Sequence, residues 1–252
     1  MDAPEAVLFD VFGTLVDWYS TIRDDARRIT ERAGVAVDPG PFAVMWRERY
    51  QPALEGVRSG ARAFANFDQL HRETLDDVLH ELGVDLGEAD REELVAGWHR
   101  LQPWPDVPRG LAALRERVCV AALSNGHTRL LVDLRRHADL AFDTVFSAEL
   151  AGTYKPDPAV YLTAARLLEL RPDQILMVAC HGWDLDGARS AGLRTAHVAR
   201  PDEWGPGVSP RSVPKADLAV GDLHELLARL APEGASPAAV RDDQPTTRVQ
   251  GP

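Results

Sequence analysis

Cysteine is scarce in this chain, with two among 252 residues, Cys119 and Cys180. Both stand in apolar, strand-like surroundings without metal-ligand spacing. That excludes a disulfide scaffold and predicts reduced core thiols in a cytoplasmic protein. No apolar run approaches the length of a membrane span, and the N-terminus has neither the basic nor the apolar region of a signal peptide. A positive surplus is missing too: 28 Lys and Arg face 39 Asp and Glu, a net charge of −11. This argues against nucleic acid or an anionic membrane as partner, so any anion site has to be built locally. There is no internal repeat, and nothing from residue 17 to 101 reads as a strand. What is present is an ordinary globular composition, 45% hydrophobic and 27% charged, in a chain long enough for one sizeable core with a smaller inserted unit.

The most informative stretch runs from Ala6 to Leu15. Residues 6–9 form an apolar run with the length of a fully buried strand; it ends abruptly at Asp10, and Gly13 then marks a sharp turn. A lone Asp after a strand most often caps a turn. In an open α/β sheet, however, ligands sit at the carboxyl ends of strands, which puts Asp10 where chemistry happens. Thr14, four residues on, can hydrogen-bond back and orient the carboxylate.

Helical periodicity follows. One helix is predicted over 17–33, with Ile22, Ala26, Ile29 and Ala33 in phase and Gly34 as its stop. A second starts near Pro41 and contains Phe42, Met45 and Trp46. A third presents Phe67, Leu70, Thr74, Val78 and Leu82 on one face and ends at Gly83, and a fourth covers 88–101. Residues 102–108 have linker chemistry. Strand and helix then alternate: helix 109–117, strand 118–123, helix 127–137, strand 144–147, helix 159–170, strand 175–179, helix 184–191, strand 195–199, strand 218–220 and helix 222–230. The expected fold class is α/β, a parallel sheet with helices on both faces and an inserted all-helical cap. The core takes 1–16 and 105–230 and the cap 17–104. Residues 231–252, rich in Pro, Gly, Ala, Ser and charge without periodicity, are predicted to be a disordered tail.

Three further segments carry candidate chemistry. Ser124-Asn125-Gly126 follows a buried strand and opens a helix, where a hydroxyl, an amide and backbone N–H groups can make an anion site; taken alone, a plain N-cap is as good a reading. Lys155 stands at a helix start, against the dipole preference, with Tyr161 about one and a half turns on and able to support it. Residues 178–184, Val-Ala-Cys-His-Gly-Trp-Asp, end a strand and supply His181, Trp183 and Asp184.

Together these segments resemble the four motifs of the haloacid dehalogenase superfamily, whose first Asp is a covalent nucleophile. Its phosphatases carry Asp-x-Asp-x-Thr, the second Asp protonating the leaving group. Here Phe12 holds that position, and a phenyl ring neither gives nor takes a proton. Ser124-Asn125-Gly126, Trp46-Arg47, Asn66-Phe67 and Trp183 resemble the L-2-haloacid dehalogenases (type II) in particular. The resemblance, over about residues 5–230, implies a HAD-like Rossmannoid core and hydrolysis of a short 2-haloalkanoate through an aspartyl ester. Asp10 would attack, Asp184, with or without help from His181, would activate water, and backbone N–H groups following Asp10, beginning at Val11, would stabilise the oxyanion. Lys155 and Ser124 would hold the substrate carboxylate, Arg47 and Asn125 would receive halide, and Phe12, Phe67 and Trp183 would exclude water. No metal or organic cofactor is expected, because Phe12 and Ala179 leave too few carboxylates for magnesium. The resemblance also suggests a homodimer.

The chain departs from the type II pattern in one region. The family's Ser-Ser-Asn-x-Trp-Asp reads Ala179-Cys180-His181-Gly182-Trp183-Asp184, and the Ser or Thr common after Ser-Asn-Gly is His127. His181 can replace the Asn as a hydrogen-bond partner or act as an acid or base. The alternatives are the same ester route on another leaving group or a strained ring, a magnesium phosphatase, and a non-catalytic binding protein.

Overall fold

The computed structural model describes residues 3–208 and 214–230; the predicted tail at 231–252 lies outside them. Ala6–Phe9 forms β1. All four of its residues are fully buried, as expected of an apolar run covered on both faces. It is a central strand of a six-stranded parallel sheet. On one side it pairs with β4 (Cys119–Ser124), Phe9 lying opposite Ala122, and β4 pairs with β5 (Thr144–Ser147). On the other side Phe9 lies opposite Val178 of β6 (Ile175–Ala179), followed outward by β7 (Arg194–Val198) and β8 (Leu218–Val220). The chain builds one half of the sheet, crosses back over β1 and builds the other. The carboxyl ends of β1, β4 and β6 therefore meet where the strand order reverses, the crevice in which open α/β sheets bind ligands.

The segment that follows β1 holds five α-helices before residue 98: α1 (Trp18–Ala33), α2 (Pro39–Glu48), α3 (Tyr50–Arg58), α4 (Phe67–Leu82) and α5 (Glu88–Gly97). Local chemistry sets their limits. Asp17 caps α1 by accepting from the Ser20 amide, and Asn66 and Gln69 form a reciprocal capping box at α4. Gly34 and Gly83 close the same two helices in left-handed conformation.

The structure differs from the sequence reading at four places here. Helix α3 was not predicted, because Pro52 and Gly56 obscure its period; Pro52 sits in the first turn, where a missing N–H costs no helical bond. The α4 stripe runs through Phe67, Leu70, His71, Thr74, Leu75, Val78 and Leu79, while Leu82 is 40% exposed on the last turn. The helix begun at Glu88 ends at Gly97 and tightens into a 3₁₀ turn, Trp98–Arg100. Finally, Val16–Asp17 (β2) and Gln102–Pro103 (β3) pair antiparallel, a two-residue ribbon where the helical block leaves and rejoins the sheet unit.

The outer helices are α6 (Val107–Arg115), α7 (Thr128–His137), α8 (Pro158–Leu167), α9 (Gly182–Ser190) and α10 (Leu223–Arg229). None of the described helices is long and apolar enough to cross a membrane.

Candidate active site

Asp10 leaves the sheet at the end of β1 and is only 4% exposed. A bare carboxylate there would be costly, and the surrounding chain supplies three donors. Thr14 Oγ1 donates to Oδ2 at 2.7 Å, Lys155 Nζ to Oδ1 at 2.9 Å, and His181 Nδ1 lies 3.0 Å from Oδ2. The turn Asp10 to Leu15 is closed by the Val11 carbonyl, which accepts from the Leu15 and Val16 amides. Burial alone would raise the Asp10 pKa; Lys155, His181 and Thr14 outweigh it and hold the carboxyl well below its ordinary value. It is therefore an anion with one oxygen, Oδ2, carrying two hydrogen bonds and the other, Oδ1, carrying one.

Lys155 is fully buried. Its ammonium reaches Asp184 Oδ2 at 2.5 Å as well as Asp10, and the two carboxylates raise its pKa although burial opposes them. Its backbone N–H donates to Asn125 Oδ1 at 2.7 Å, so the Ser-Asn-Gly segment anchors the lysine. Asp184 lies in the first turn of α9, completely buried. Tyr161 on α8 donates its hydroxyl proton to Asp184 Oδ1 at 2.6 Å, with the Asp184 carbonyl oxygen also close at 3.1 Å. Tyr161 thus supports Lys155 through Asp184 rather than directly. Burial raises the Asp184 pKa, Lys155 counteracts it, and the Asp10 charge adds to it. The two carboxylates sharing one lysine are pushed apart, Asp10 downward and Asp184 upward.

The remaining predicted residues take up distinct places. Phe12 stacks on Phe67 from α4 at 5.2 Å between centroids and meets Trp98 edge-on at 6.2 Å. Arg47 is buried under the helices, its guanidinium 4.3 Å from the Tyr50 ring centroid and 5.5 Å from that of Trp18. Its Nη1 has no hydrogen-bond partner among the described residues, a buried cationic donor of the kind an anion would satisfy. Trp183 stacks on the His181 ring at 5.5 Å and lies 5.9 Å from Lys155 Nζ. At Ser124 and the start of α7, two of the expected amide donors have protein partners. Ser124 Oγ accepts from the Gly126 amide at 3.1 Å, and Glu149 takes both the amide and the hydroxyl of Thr128 at 2.7 Å. His127 is not at the Asp10 cluster: its Nε2 lies 3.4 Å from Asp68.

A family model for haloacid dehalogenase-like hydrolases matches residues 4–192. The chain belongs to that family. It is 32% identical over 237 residues to (S)-2-haloacid dehalogenase 1 of Pseudomonas sp. (strain CBS-3), covering 91% of this chain and 99% of that one. A solved L-2-haloacid dehalogenase is 43% identical, superposes with a TM-score of 0.85, and is matched over 90% of this chain and 98% of its own. A defluorinating L-2-haloacid dehalogenase is 39% identical with a TM-score of 0.87, over 91% and 98% of the two chains.

Beside the four motifs, this haloacid dehalogenase-like hydrolase has site residues that the sequence did not disclose. Tyr50, from the unpredicted α3, accepts from Asn125 Nδ2 at 3.0 Å and carries Arg47 on its ring. Glu203, on the loop after β7, lies 2.8 Å from His181 Nε2. Trp18, His71 and Trp98 extend the aromatic wall, His71 stacking on Trp98 at 4.2 Å. A cavity of about 600 Å³ opens beside them, lined by Arg47, Tyr50, His181, Trp183 and Glu203 among others. Asp10 is behind His181 rather than on that wall.

Proposed function

We propose that the chain is a 2-haloacid dehalogenase, releasing halide from a short 2-haloalkanoate to give the 2-hydroxy acid through an ester on Asp10. The observation that carries this reading is the state of Asp10. It is buried, held anionic by Lys155 and His181, and followed two residues later by Phe12, which cannot act as an acid. Such a carboxylate suits attack on a carbon whose leaving group needs no proton, and a halide ion is one. A phosphatase would lack its proton donor, and a mere binding site would not require Lys155, Asp184 and Tyr161 to be assembled behind the carboxylate.

In this reading Asp10 Oδ1, the oxygen with a single hydrogen bond, forms the bond to C2 from the side opposite the halide, which leaves with the electron pair. Oδ2 becomes the ester carbonyl oxygen. Lys155, anchored by Asn125, neutralises the paired carboxylates. Asp184, whose raised pKa suits a base better than that of Asp10, takes the proton of the water attacking the Asp10 carbonyl carbon, with Tyr161 fixing its orientation. The unpaired donor of Arg47 receives the halide, and Phe12, Phe67 and Trp183 keep bulk water away. The amides following Asp10, from Val11 onward, assist at the developing oxyanion. Residues 17–104 act as a cap, since Arg47, Tyr50 and Phe67 all come from that helical block.

The names of the relatives support the substrate class, and the defluorinating one extends it to fluorinated acids. The test is a halide-release screen over chloro-, bromo- and fluoroacetate and both enantiomers of 2-chloropropionate. Release from the (S) enantiomer, lost in Asp10→Asn, is expected. Absence of halide from every compound contradicts the reading.

A further inference from the structure

Glu203 is nine-tenths buried, 7% exposed, on the loop that follows β7, and it belongs to none of the four motifs. Its Oε1 accepts from Trp18 Nε1 at 3.2 Å and lies 2.8 Å from His181 Nε2. The turn after the nucleophile is bare where this carboxylate packs: Gly13 has φ +82, and a Cβ there would come within 2.4 Å of Oε1. The other nitrogen of His181, Nδ1, is 3.0 Å from Asp10 Oδ2. An ionised carboxylate only accepts hydrogen bonds, so an imidazole lying between two of them satisfies both only when both nitrogens carry protons.

We propose that Glu203 is a positioning residue for ester hydrolysis: it holds His181 as an imidazolium whose Nδ1–H, together with the Thr14 hydroxyl, forms the anion-stabilising pair at Asp10 Oδ2. The inference rests on the aspartyl-ester reading above and deepens it. Once Oδ1 is bonded to substrate, Oδ2 is the carbonyl oxygen. Water adding to the carbonyl carbon gives its proton to Asp184 and drives negative charge onto Oδ2, where both donors already stand. Collapse breaks the bond to Oδ1, and the departing alkoxide takes the proton from Asp184. The new Asp10 carboxylic acid then ionises to water, the one proton released per turnover.

The surroundings favour the charged ring. Burial opposes it, but Cys180, Glu203 and Asp10 hold the His181 pKa well above the usual histidine value. Burial opposes ionisation of Glu203 in turn, but His181 first and then Arg47 hold its pKa below the ordinary value. His197 on β7 is the other titratable group that senses this charge, and Lys155 and Asp184 lie on the far side of Asp10.

Glu203→Gln tests the proposal, because glutamine keeps an acceptor for Nε2–H and removes the charge. With bromoacetate and (S)-2-chloropropionate, kcat and KM should fall together while kcat/KM, which ends at halide release, stays within about twofold. The alkaline limb of kcat should move to lower pH. The deficit is then about tenfold or more above neutrality and vanishes in acid, where His181 is protonated without help. In His181→Asn, adding Glu203→Gln should cost nothing more. An equal loss in kcat/KM at all pH values, additive losses in the double variant, or an unchanged pH profile each overturn it. If the variant does not fold, decay of the wild-type ester against pH decides: a rate that falls as pH rises is expected, and one without an alkaline limb overturns the proposal. A wild type that releases no halide at all removes the ester reading itself, whereas a normal halide burst with unaltered kcat in Glu203→Gln removes Glu203 alone.

Discussion

Lys155 is one of two lysines in the chain, and it is the residue on which the buried charges depend. Its ammonium is fully enclosed between Asp10 and Asp184. Removing one partner of such a cluster leaves uncompensated charge, which costs about 3–5 kcal/mol. Lys155→Met should therefore lower the melting temperature markedly near neutral pH as well as abolish halide release. The loss should shrink on acidification, since the two carboxylates, deprived of the ammonium between them, take up a proton more readily. Thermal melts of both proteins across pH check this; a deficit that does not vary with pH contradicts it. In the wild type the sign is opposite for Asp10. Its folded pKa is depressed, so its ion pair contributes fully above the ordinary carboxylate value and is lost as pH falls through the depressed one.

Among the elements, the helical block meets the sheet unit through a histidine as well as through aromatics. His99, in the 3₁₀ turn, lies 2.9 Å from Asp68 at the start of α4 and 2.9 Å from Asp133 on α7. Burial disfavours its charge, but the two carboxylates prevail and raise its pKa. Its contribution is thus complete below the unfolded histidine pKa and lost as pH rises through the folded one. The groups are partly solvated, so the effect is small, about 0.2–1 kcal/mol. His99→Gln should lower the melting temperature by about 1–3 °C in mild acid and by less at alkaline pH. A larger deficit at alkaline pH contradicts the sign. The 3₁₀ turn itself was not legible, and neither was α3. At Gly97, the last residue of α5, a Cβ would press on Asp25 Oδ2 at 2.8 Å, a close approach to α1 that no local pattern announces. By contrast, both limits of α1 and the end of α4 were legible, since Asp17, Gly34 and Gly83 are local signals whose chemistry acts within one turn.

At the scale of the whole molecule, the order of strands turns a set of separated motifs into one site. Asp10, Asn125, Lys155 and Asp184 could each be read in the sequence because each follows a buried strand or opens a helix, and parallel pairing of β1 with β4 and β6 brings those ends together. Glu203, Tyr50, Trp18 and Trp98 could not be read, because their roles come only from what the tertiary fold sets opposite them. The same topology lets the Ser124 segment serve Lys155: the Asn125 side chain accepts from the lysine's backbone N–H, while the Gly126 and Thr128 amides bond to Ser124 and Glu149. Whether Asp10 is the nucleophile is read by oxygen tracing. With enzyme in excess over substrate in ¹⁸O water, attack by Asp10 predicts a first-turnover product free of label, its oxygen coming from Asp10, and ¹⁸O in the peptide that contains Asp10. Label in the first-turnover product, with none in that peptide after many cycles, would show that water attacks the substrate itself.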